Sequence, residues 1–164
     1  MKKVDLRSDT VTKPSKAMRE AIFNAEVGDD VFGEDPTVIK LQEKCIEISG
    51  KESALYVTTG CLGNQLAIKG HTKHGDEIIC ESEAHIFHYE TSAPSIISNV
   101  QLHTVPGING VMNPEDIKTA VRSGEYYFPK TTLICLENTH NRAGGTIQPI
   151  DNIKEIYTFA KENG

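Results

Sequence analysis

Three stretches of this 164-residue chain hold residue types that could do chemistry together. The first is TTGCLGN, 58–64. A glycine turn leading into a helix aims successive backbone N–H groups at one spot, and the helix adds its positive dipole end. With the Thr59 hydroxyl beside it, the Gly60 turn would make a phosphate cradle. The second is ESEAHIFHYE, 81–90, which sets His85 and His88 three apart among carboxylates. The third is ENTHNRAGG, 137–145, a polar run closed by two glycines.

Each stretch also has a plainer reading. Neither GxxxxGK[ST] nor GxGxxG is present, so 58–64 reads equally well as a turn that only starts a helix. The run 137–145 reads equally well as a surface turn whose Asn and Thr side chains bond their own backbone. His85 and His88 could share one helix face, but HExxH is absent and a third ligand would have to come from elsewhere, so no metal is expected. A lone histidine is usually structural. His85, however, follows a strand end that should lie beside the cradle. There an imidazole can wall an aromatic cofactor and move protons near neutral pH.

The elements that must position these groups are legible as alternating periods. The first dozen residues read as an extended arm. A helix is predicted over about 15–25, with Met18, Ile22 and Phe23 on one face. The acidic group Asp29, Asp30, Glu34 and Asp35 reads as a helix start rather than a metal site, because Asp35–Pro36 is an N-cap followed by proline at the first helical position. The helix so opened carries Val38, Leu41, Cys45 and Ile48 and stops at Gly50. Strands are predicted at 54–58, 76–80, 100–105 and 131–136, and helices at 62–71, 113–121 and 151–162. Alternating strands and helices imply βα units and a mostly parallel sheet, with TTLICL, 131–136, buried on both faces. Ligands of such sheets gather at the carboxyl ends of the strands, where all three stretches fall.

Composition narrows the classes. Apolar residues at 38% and charged residues at 24% exclude a disordered chain, and no apolar run approaches the length that spans a bilayer. MKKVDLRSD meets Asp5, Arg7 and Asp9 before any apolar run and is not a signal peptide. With a net charge of −6 and no basic stripe, nucleic acid is not an expected partner. Cys45, Cys61, Cys80 and Cys135 form no CxxC pair and read as reduced, mostly buried thiols of a cytoplasmic protein.

DLRSDTVTKPS, EVGDDVFGEDPT, TTGCLGN, AHIF and LENTHNRAGG stand in the order seen in L-threonine aldolases, pyridoxal-phosphate enzymes of fold type I, and the sequence resembles them from Asp5 to the last helix. The resemblance implies a large α/β domain, here incomplete: an arm over 1–14, then over 15–164 the N-terminal part of the cofactor-binding large domain. The rest of that domain and a smaller C-terminal domain would be absent. It implies retro-aldol cleavage of L-threonine or L-allo-threonine to glycine and acetaldehyde, at sites formed in a homodimer or homotetramer. Carried over by position, Thr59, Gly60 and Cys61 hold the phosphate, and His85 stacks on the cofactor ring and transfers protons. Ser8, Tyr89 and Tyr127 lie near the substrate, while His88 is incidental.

Two positions depart from the family pattern. Cys61 stands where threonine is usual, and a thiol is a weak donor. Tyr127 stands where many members carry histidine, and a phenol with a pKa near ~10 is a poor base at neutral pH. No lysine has a convincing place for holding the cofactor, so the isolated chain is expected to be inactive. A sheet cut short would also leave an exposed edge and apolar faces, with poor solubility or forced association. The alternatives are another fold-type-I lyase or aminotransferase, or a non-catalytic module that binds a phosphate ligand or a partner subunit.

Overall fold

A computed structural model describes residues 4–164, so residues 1–3 of the expected arm lie outside the described residues. The chain falls into two units that divide after Tyr56.

The first unit is built from capped helices. Ser15 accepts a hydrogen bond from the Met18 amide and opens α1, Lys16–Asn24. Asp35 opens α2, Pro36–Ser49, accepting from the Thr37 and Val38 amides at 2.9 Å each. Its second oxygen takes the Gly28 amide at 3.1 Å, which draws the preceding loop onto the helix start. These amides, Val38 first and then Gly28, hold the Asp35 carboxyl below its ordinary pKa. Gly50 ends α2 at φ 65°, the left-handed cap that glycine adopts without strain. A Cβ at Gly28 would collide with the Glu34 carbonyl, so the close approach of these two backbones demands glycine.

Met18, Ile22 and Phe23 share a face of α1 as expected, and all three are exposed, Phe23 by 88%. One expectation fails. The segment 54–58 forms no strand. A strand is stable only against a ladder partner. None pairs with 54–58 among the described residues, and the Tyr56 amide donates instead to the Gln42 side chain at 2.9 Å.

The second unit is a three-stranded parallel sheet in the order β2-β1-β5. Its central strand is β1, Glu77–Glu81, flanked by β2, Gln101–Val105, and β5, Thr131–Ile134. All five residues of β1 are buried, because strands cover both its edges and helices both its faces. Alternation sends its two isoleucines to opposite cores. Ile78 packs with Ile68 of α3, Gly60–His71, and with Val100. Ile79 packs with Ile117 and Ala120 of α5, Pro114–Ala120, and with Ile156 of α6, Ile150–Glu162. Each isoleucine is fully buried and contributes roughly 1.5–3 kcal/mol. The α/β architecture with a parallel sheet flanked by helices is thus as expected. TTLICL, however, is an edge strand and only half buried. A short helix α4, His85–His88, and a π-helical turn, Pro94–Ser98, fill the β1–β2 connection. A hairpin of β3, Gly107–Ile108, and β4, Val111–Met112, follows β2.

The amino end of β1 carries a buried carboxylate. Glu77 accepts from the Arg122 guanidinium at 2.9–3.2 Å, from Gln101 at 2.9 Å and from Thr131 at 3.1 Å, and faces His103 Nδ1 at 3.2 Å. Burial alone would raise its pKa, but Arg122, His103 and Thr131 outweigh burial and hold it below the ordinary value of 4.5. A depressed carboxylate stabilises the fold above its unfolded pKa and loses that contribution as pH falls through the folded value. Glu77→Gln should therefore destabilise the protein by about 2 kcal/mol at neutral pH, less than for a fully buried pair because Arg122 still reaches solvent. In thermal melts, the gap from wild type should close as the solution is acidified below about pH 4.5.

Candidate active site

Helix α3 supplies the cradle. Thr59 is extended and caps the helix, its Oγ1 accepting from the Leu62 amide at 3.0 Å. The Gly63 amide bonds the Thr59 carbonyl at 3.2 Å. The Gly60 and Cys61 amides have no partner among the described residues, as expected of the first turn of a helix. A Cβ at Gly60 would meet nothing within 4 Å, so the space above these donors is open. Gly60 does not need a left-handed backbone; it opens the site rather than making a strained turn.

The same helix reaches the histidine stretch. One turn on, Asn64 and Gln65 donate to the two oxygens of Glu90, at 2.7 and 2.6 Å. Glu90 is buried, its side chain 1% exposed, and its Oε1 also lies 2.9 Å from His85 Nδ1. His85 is held a second time, through its backbone: Glu137 Oε2 accepts from the His85 amide at 2.7 Å, and Glu137 Oε1 from the Asn141 amide at 2.8 Å. The loop after β5 thus grips the first residue of α4. The turn after Glu90 places Thr91 and Ser92 at φ 53° and 58°, a strained conformation for a β-branched residue.

A buried pair supports this loop. His140 Nε2 lies 3.1 Å from Glu81 Oε2, both side chains at most 4% exposed, while His140 Nδ1 accepts from the Ala143 amide at 3.3 Å. The hairpin closes over the pair with glycines. A Cβ on Gly107 would strike the Glu81 side chain, and one on Gly110 the His140 ring. Gln148 ties the hairpin to the loop, donating to the Gly110 and Glu137 carbonyls at 2.8 and 3.0 Å.

The sequence-derived candidates separate into groups. Thr59, Gly60, Cys61 and His85 come together: Cys61, His85 and Glu90 each offer an atom within 4.8 Å of the others. Such a trio could in principle ligate a cation. But His85 Nδ1 and Glu90 Oε1 stand at hydrogen-bond distance, closer than the roughly 3.3 Å that separates two tetrahedral ligands with zinc bonds of about 2.0–2.1 Å. Both Glu90 oxygens are also engaged by amides. Tyr89 places its ring 5.5 Å from that of His85 and is half exposed. His88 Nε2 bonds the Ser82 carbonyl at 2.9 Å, a local role. Tyr127 is 64% exposed, its ring against Tyr126 and Phe128. Ser8, in the other unit, accepts from the Thr10 amide and starts a 3-10 turn, Asp9–Val11. Glu90 and Glu137 lie in the polar stretches 81–90 and 137–145, but their roles as acceptors for His85, and those of Asn64 and Gln65 as donors to Glu90, show only in the fold.

The cysteine expectation needs correction. Cys45 and Cys61 are exposed; only Cys80 is buried and Cys135 partly so. Cys45 lies on a face of α2 that its unit leaves open, and Cys61 at the open end of α3. Burial pushes the Cys80 and Cys135 thiols up to about 12.

The first-turn amides of α3, whose N-cap is Thr59, lie near an imidazole backed by a carboxylate, an arrangement of the kind that suits an anionic ligand. The beta-eliminating lyase family model matches residues 5–164. Low-specificity L-threonine aldolase 1 of Arabidopsis thaliana is 44% identical over 100% of this chain and 47% of its own length. The Escherichia coli low specificity L-threonine aldolase is 38% identical over 97% of this chain and 47% of its own. The solved Leishmania major threonine aldolase superposes with a TM-score of 0.75 at 20% identity, over 90% of this chain and 42% of that one. The chain belongs to the beta-eliminating lyase family. It spans about half the length of the curated relatives it matches.

Thiol labelling under native conditions should modify Cys45 and Cys61 and spare Cys80 and Cys135 until denaturant is added, because the thiolate is the reactive form. Rapid native labelling of all four would contradict this placement.

Proposed function

We propose that the protein containing this chain is a pyridoxal-phosphate-dependent aldehyde-lyase that cleaves L-threonine and L-allo-threonine to glycine and acetaldehyde. The observation that carries the reading is His85, held by its ring and its backbone beside the open amides of α3. The donor set fits a phosphate group. Two backbone amides and the Thr59 hydroxyl hydrogen are available, and nothing crowds the space above Gly60. When bound, the cofactor supplies the electron sink for breaking a bond at an amino-acid α-carbon.

The chain's own residues do the rest. Thr59, Gly60 and Cys61 hold the phosphate, Cys61 through its backbone amide, since its thiol is a weak donor. His85 walls the cofactor ring and takes or returns a proton at Nε2, the ring nitrogen left without a partner among the described residues. Tyr89, beside the His85 ring, extends that wall toward the substrate. Ser8 and Tyr127 are proposed as substrate contacts on the family resemblance alone, as are homodimeric or homotetrameric assembly and action in the cytoplasm.

The test is an assay of the native-length protein with each amino acid, measuring glycine and acetaldehyde. Stoichiometric formation of both is expected, with kcat reduced about 10²-fold or more in His85→Asn. Release of a keto acid and ammonia instead would identify another lyase or an aminotransferase. No turnover with cofactor bound would leave a binding module.

A further inference from the structure

We propose that Glu90 is the positioning residue for His85: it accepts the Nδ1 proton, fixes the imidazole in a single tautomer, and leaves the Nε2 lone pair as the working atom. The inference rests on the aldolase reading for its catalytic meaning, and on hydrogen-bond counting for its structure.

The counting starts with Glu90. Asn64 Nδ2 and His85 Nδ1 meet its Oε1 at 2.7 and 2.9 Å, and Gln65 Nε2 meets its Oε2 at 2.6 Å. The two amide nitrogens that face Glu90 can only donate. A carboxylate surrounded by donors acts as an acceptor, so the third contact is completed by a proton on His85 Nδ1. A neutral imidazole protonated at Nδ1 carries its lone pair on Nε2. The side chain of Glu90 is 1% exposed, so water does not compete for these contacts. His85 remains 34% exposed on its other side, open to a ligand.

Helix α3 makes this a coupled device. Its first turn presents the Gly60 and Cys61 amides, and its second turn carries the Asn64 and Gln65 side chains that orient Glu90. One rigid element therefore sets both the anion cradle and the axis of the imidazole. Glu137 fixes the backbone from the opposite side, so the ring is defined by contacts from two loops and a helix.

The experiment uses native-length protein labelled with 15N in the histidine rings, observed near neutral pH without cofactor. Long-range proton–nitrogen correlations report which nitrogen is protonated, and His85→Asn assigns the signals. Wild type should show His85 protonated at Nδ1 and bare at Nε2. Glu90→Leu should give the mixed tautomers of an unrestrained imidazole. Glu90→Gln, which keeps one carbonyl acceptor, should restore the single form. A wild-type His85 protonated at Nε2 overturns the proposal, and so does an unchanged tautomer in a folded Glu90→Leu. If Glu90→Leu does not fold, the wild-type and Glu90→Gln spectra decide. In the aldolase assay, Glu90→Leu should lose about 10²-fold in kcat with KM little changed, and Glu90→Gln should recover most of it. An Nδ1-protonated His85 in a protein without aldolase activity would refute the functional reading and leave the positioning intact. Activity with the opposite tautomer would do the reverse.

Discussion

The strand EIICE, 77–81, has no exposed residue, yet it begins and ends with a carboxylate. Two ionisable groups in such a place are tolerable only if each finds donors, and the search for donors organises the second unit. Glu77 finds Arg122, just beyond α5, together with side chains of β2 and β5. Those contacts bind the amino ends of all three strands to the helix layer. Glu81 finds His140, from the loop after β5. That second pairing sits at the carboxyl end, where the hairpin and the polar loop must fold around it. With Glu81 fixed, the chain leaves β1 in a defined direction and delivers His85 four residues later.

From there the site is assembled by carboxylates rather than by cations. Glu137 holds a backbone amide, Glu90 holds a ring nitrogen, and both answer to donors on other elements. Amides, imidazoles and main-chain N–H groups disperse the negative charge without bringing a competing positive charge to the cradle. The Gly60 and Cys61 amides of α3 are thus left without partners among the described residues, the feature on which the proposed anion cradle rests. Exposed pairs such as Arg142–Glu83 add little to this order.

Much of this was legible in the residues. Asp35–Pro36 and Gly50 bracket α2 as capping chemistry requires, and the apolar runs of β1 and β2 were visible as strands. His85 and the loop after β5 could be placed together because they follow neighbouring parallel strands, whereas the α3 turn joins them although the segment before it, 54–58, is not a strand. Other features were hidden for physical reasons. The run 54–58 has strand composition, but composition does not supply a neighbour to bond. The face of α1 is amphipathic, but amphipathicity does not say whether anything covers it. Glu90 looks like any carboxylate until folding brings Asn64 and Gln65 over it, since its role depends on contacts 25 and 26 residues away. Asn109–Gly110 is a different case. Both residues take positive φ, 52° and 79°, as a tight hairpin turn needs, and the pair is a strong local signal for the hairpin of β3 and β4.

The turn at Thr91 and Ser92 has a meaning for how this molecule can change over time. Consecutive left-handed non-glycine residues, one of them β-branched, lower stability by something on the order of 1–3 kcal/mol each. Glycine at either position would relieve that strain, so a more robust fold is within one substitution. It would also slacken the corner that turns Glu90 under α3. This corner is thus a point where selection for hardiness and selection for a well-aimed imidazole pull in opposite directions, and where laboratory stabilisation would be easiest to achieve and most apt to blunt the site.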